Sequence, residues 1–91
     1  MAAQRIALEG RVGLAEVPAL ARDLSRRVKA GDSVLDWSGV TAVDSSAVAL
    51  AFELGRESDS AGWSLAHCNL PSSLLTLIDL YGVKDFVPAQ T

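Results

Sequence analysis

Few side chains in this sequence could carry out covalent or acid–base chemistry. There is one imidazole, His67, and one thiol, Cys68, and they are neighbours. A catalytic nucleophile needs a base within hydrogen-bond reach and a third group to orient that base. Consecutive residues of an extended segment point to opposite faces, so these two cannot form such a dyad with each other. His67 is expected to be an ordinary strand residue and Cys68 a small core filler. The carboxylate pairs Asp32 with Asp36, and Asp44 with Glu53, lack any further acid–base group, and solvation or helix capping accounts for them. No ligand cluster has zinc spacing, no Gly-rich loop ends in Lys-Ser or Lys-Thr, and Gly10 and Gly13 do not make a dinucleotide fingerprint. Neither a catalytic centre nor a cofactor or metal site is expected. What remains is Asp44-Ser45-Ser46, a carboxylate followed by two hydroxyls where an apolar segment begins. A hydroxyl there can cap a helix, and a phosphate on it would be held by free backbone N–H groups and the helix dipole.

The elements that must position this tripeptide follow from periodicity. Arg5 to Leu8 reads as a short strand closed by a turn over Gly10 to Gly13. Val17, Leu20, Leu24 and Val28 then recur at helical spacing, with Pro18 tolerable in the first turn and Gly31 as the stop. Ser33 to Trp37 is a second strand, after which Gly39 turns the chain toward Thr41-Ala42-Val43-Asp44. A second helix runs from about Ser45 to Ser58, and Ala47, Val48, Leu50, Ala51, Phe52 and Leu54 cover more than one of its faces. Such a helix is either deeply buried or meets another protein on its outer side, and partial burial plus a contact is the expectation. Trp63 to Cys68 is a third strand. Pro71 suits the first position of a third helix with a core stripe of Leu74, Leu77, Ile78 and Tyr81, stopped by Gly82. Phe86-Val87 before Pro88 reads as a last extended segment. The alternation predicts an α/β domain with a small, mostly parallel sheet of about four strands packed with about three helices.

A length of 91 residues, 49% of them hydrophobic, fits one domain over residues 1–91 with a small core, and partner binding would add usefully to its stability. A net charge of -3 argues against nucleic acid or an anionic membrane surface as the main partner. The charge is uneven: residues 1–30 hold six basic against three acidic side chains, which reads as a solvated face. The longest apolar run, Ala47 to Phe52, is far short of a membrane span, and Met1 to Arg5 lacks the features of a signal peptide. A lone cysteine fits a reducing compartment.

The stretch Asp36-Trp37-Ser38-Gly39-Val40-Thr41-Ala42-Val43-Asp44-Ser45-Ser46, followed by an apolar helix, resembles the signature of the STAS domain, the sulfate transporter and anti-sigma factor antagonist family. Leu8-Glu9-Gly10-Arg11-Val12 resembles the family's opening strand and Leu80-Tyr81-Gly82-Val83 its closing helix-to-turn segment, so the likeness covers essentially the whole chain. Ala47 stands where many members have Gly, and Val48 where Leu is common. Within the family the chain looks most like the small STAS subunits of the bacterial ABC transporter that moves phospholipids between inner and outer membranes. That resemblance implies a non-catalytic, cytoplasmic protein, peripheral on the inner membrane, docked on the transporter's ATPase subunit in a complex with a membrane permease. It implies that Ser45 is a contact or a phosphorylated residue. Asp44, Ser46, Val48 and Ala51 are the further expected contacts. The alternative the family offers is an anti-sigma factor antagonist switched by phosphorylation of Ser45.

Overall fold

Burial at every second residue decides the first strand. In a computed structural model that describes residues 3–87, β1 (Gln4–Val12) buries Ile6, Leu8 and Val12 and leaves Arg5, Ala7 and Glu9 exposed. β2 (Ser33–Val43) and β3 (Leu65–Cys68) pair in parallel with it in the order β1-β2-β3. Ile6, Leu35 and His67 lie side by side across the strands, and they face the same core. Both crossovers step in one direction across the sheet, so right-handed connections place α1 (Val17–Val28) and α2 (Ser45–Ser60) on a single face. One apolar cluster joins that face to all three helices, through Leu24 and Val28 of α1, Leu50 and Leu54 of α2, and Leu74 and Ile78 of α3 (Ser72–Tyr81). Val34 and Cys68, which alternate with the core residues, are buried but stand outside that cluster.

The breadth of the apolar surface on α2 has a packing cause. The helix contacts α1, α3 and β3, so Ala47, Val48, Leu50, Ala51 and Leu54 are all buried although they span a wide arc. Only a narrow stripe, including Ala49, is left to solvent.

Several expected boundaries shift. β1 runs past Leu8 to Val12, and Gly10 sits inside it at φ +73° instead of opening a turn. β2 continues through Gly39, because register shifts against β1 put an extra β2 residue on either side of that glycine. A Cβ on Gly39 would come within 2.9 Å of the Leu8 carbonyl oxygen, which explains a glycine in an unbroken strand. α1 closes at Lys29, before Gly31, and Pro71 precedes α3 as its N-cap. Tyr81 is 53% exposed and leaves the expected core stripe. The segment near Phe86 is a 3-10 turn, Lys84–Phe86, with Val87 buried behind it, and Pro88 lies outside the described residues. The described residues thus form three strands, against the expected four or so.

Candidate docking site at the start of α2

Asp44 is the last residue before α2 and has extended backbone, which frees its carboxylate to fold back on the helix end. One oxygen accepts from the Ser46 backbone N–H at 2.8 Å, and the other from the Leu14 backbone N–H at 3.1 Å. One side chain therefore caps α2 and ties it to the loop that leaves β1. Gly13 completes the join: its N–H donates to Glu16 Oε1 at 3.0 Å, and a Cβ there would lie 2.9 Å from Asp44 Oδ2. The Leu14 and Ser46 N–H groups hold the Asp44 carboxyl below the usual carboxylate range, so it is a fixed negative charge at neutral pH.

Capping is thus the work of Asp44, and Ser45 is left over. Ser45 is exposed, and its hydroxyl makes no hydrogen bond among the described residues. It stands at one end of an apolar groove of about 470 Å³ between α2 and the end of α3, lined by Ser45, Val48, Ala49, Phe52, Glu53, Tyr81 and Val83. Leu80, the residue before Tyr81, is 72% exposed. A depression of similar size between the second half of α2 and β3 is lined by Arg56, Asp59, Trp63, Leu65 and Asp85; it shares Phe52 with the groove but contains no residue of the motif.

The expected contact residues divide. Asp44 and Ser45 are exposed, Ser46 is half-buried, and Val48, at 5% exposure, offers only an edge to the groove. Ala51 must be corrected: it has no exposed surface, its methyl group fills the core beneath α2, and no partner reaches it in the folded domain. Sequence reasoning missed Ala49, Phe52, Tyr81 and Val83. Tyr81 had a readable signal, since it directly precedes Gly82, a left-handed helix end. An aromatic residue at that position is at the margin of the packed stripe.

The other half of the motif is structural. Asp36 accepts from Asn69 Nδ2 and the Ser38 N–H, both at 3.0 Å, and pairs with Arg5 at 3.0 Å. Asn69 first, then Ser38, hold its carboxyl far below the normal range. His67 is fully buried, and its Nδ1 accepts from the Trp37 indole N–H at 3.0 Å, which places the imidazole proton on Nε2. Cys68 alternates with it onto the other face, so no dyad forms. No helix of the described residues is long and apolar enough to cross a membrane, and no group of three or more His, Cys, Asp or Glu among them could hold a metal.

Comparison with known proteins agrees with this geometry. A search of curated protein sequences finds no relative. Among solved structures the chain is similar to the anti-sigma factor antagonist SpoIIAA in its unphosphorylated form, with a TM-score of 0.76 and 17% identity over 96% of this chain and 78% of that one. At that identity the likeness speaks for the fold. The family model described as "Mlab, STAS domain" matches residues 1–88, so the chain belongs to that STAS domain family.

Proposed function

We propose that this protein is a non-catalytic STAS subunit that docks on the ATPase subunit of an ABC transporter moving phospholipids between inner and outer membranes. It would act in the cytoplasm, held to the inner membrane only through the ATPase and its permease. The observation that carries this reading is the apolar groove opening beside Ser45, whose hydroxyl has no internal partner among the described residues, with exposed Tyr81 at its far side. Apolar and aromatic side chains around a small central residue are what a packed protein contact uses. The family description, with Mlab in its name, supports the lipid-transport member of the possible partners.

Titration calorimetry against the transporter's ATPase tests the site. Ala49→Arg puts a charge in the groove at an exposed position, so the domain should stay folded while affinity falls at least about tenfold. Ser45→Glu should weaken binding in the same direction, because a charge buried in an apolar contact is penalised. Unchanged affinity in both variants would remove the groove from the interface.

One observation favours the second reading, an anti-sigma factor antagonist: the Ser45 hydroxyl is open to a kinase. That reading requires a species about 80 Da heavier after kinase treatment and lost with phosphatase, as one added phosphate gives. Docking is preferred because the matching family model carries Mlab in its description.

A further inference from the structure

β1 forms one edge of the sheet and, among the described residues, has β2 as its only neighbouring strand. Its free side is a regular hydrogen-bonding edge. The register shifts against β2 place the extra residues on β2, so β1 itself runs without insertion from Gln4 to Gly10. The Gln4 N–H donates to Asp32 O at 2.9 Å, and the Leu8 carbonyl oxygen lies against Gly39, so the even-numbered residues Gln4, Ile6 and Leu8 turn their backbone groups toward β2. Arg5, Ala7 and Glu9 therefore turn theirs outward, away from the sheet. Natural edges are usually blunted by proline, bulges, brevity or charge; this stretch has no proline or inserted residue of its own, and its charges, Arg5 and Glu9, are of opposite sign. The opposite edge, β3, is only 4 residues long.

We infer that this edge pairs with the same edge of a second copy, antiparallel and centred on Ala7. The pattern is self-complementary about that residue. Ala7 would meet Ala7 of the other copy, with Arg5 opposite Glu9 on either side, so every outward-facing N–H and C=O finds a partner in a hydrogen-bonded pair. The side chains agree with the backbone. Arg5 and Glu9 lie on the same face of β1, both are exposed, and Glu9 has no ion pair among the described residues. Antiparallel pairing brings each Glu9 to an Arg5 whose guanidinium, 60% exposed, has capacity beyond its bond to Asp36. On the core face the same register sets Ile6 opposite Leu8. A two-fold axis normal to the sheet then joins two copies into one continuous sheet with all helices on one side. The groove between α2 and α3 belongs to the β2–β3 half of the domain, so the pairing leaves the docking site free and stands or falls separately from it.

Sedimentation equilibrium of the full chain tests the pairing. A reversible monomer–dimer equilibrium is expected below about 0.5 mM. Arg5→Glu and Glu9→Arg each place like charges opposite one another twice per dimer, and each should raise the dissociation constant at least about tenfold. The double variant R5E/E9R restores opposite charges across the pair and, although it also sets a carboxylate beside Asp36 within each copy, should bind at least about threefold more tightly than either single reversal. Ala7→Pro removes the central donor and should give a monomer with an unchanged circular dichroism spectrum. If that variant fails to fold, the charge swap decides alone. A parent chain that stays monomeric to about 0.5 mM, single reversals that dimerise like the parent, or a double variant that is not rescued would each overturn the inference.

Discussion

Replacing Trp37 with alanine should destabilise the domain by about 4 kcal/mol, enough to leave much of it unfolded at 37 °C. The indole is 1% exposed on the central strand and is the largest fully buried side chain in the core. Its loss opens a cavity where β2 faces the helices, and it leaves His67 Nδ1 without the donor that now satisfies it. The second tryptophan supplies the control. Trp63 is 43% exposed just before β3, so Trp63→Ala should change stability by only about 0.5 kcal/mol. Urea denaturation of both variants at neutral pH separates the two positions. Equal losses would mean that the core is not organised around Trp37.

The contrast between these tryptophans shows what the sequence could and could not convey. Strands and helices announce themselves through period, and the spacing of Leu24 and Val28, or of Leu74 and Ile78, placed α1 and α3 on their buried faces correctly. The start of α2 was legible because Asp44 followed by two serines is a local signal, and the cap it forms needs only neighbours. Properties set by distant residues were not legible. The bulges that carry β2 straight through Gly39 depend on pairing with β1. The burial of Ala51 depends on helix packing around α2, and the exposure of Tyr81 on where α3 stops relative to the core. Likewise, nothing near His67 reveals that the indole of Trp37, 30 residues away, donates to it.

That buried imidazole gives the domain a specific acid response. Lowering the pH from 7 to 4 should cost the fold about 3 kcal/mol through His67 alone. Burial depresses its pKa from 6.5 to about 4 in the folded protein. Above pH 6.5 the residue is neutral in both states and the full stability is present. Between 6.5 and about 4 only the unfolded chain takes up the proton, so unfolding gains roughly 1.4 kcal/mol per pH unit. Below about 4 the folded form protonates too and the loss levels off. Asp36 and Asp44 act in a separate window, because carboxyls held below 3.8 supply stability that disappears only as the pH falls beneath that value. Unfolding midpoints at pH 7, 5.5 and 4 therefore isolate the histidine. His67→Gln keeps an acceptor for the Trp37 indole but has no proton to gain, so its stability should stay nearly flat across this range while the parent falls. A variant with the parent's slope would assign the acid response to some group other than this imidazole.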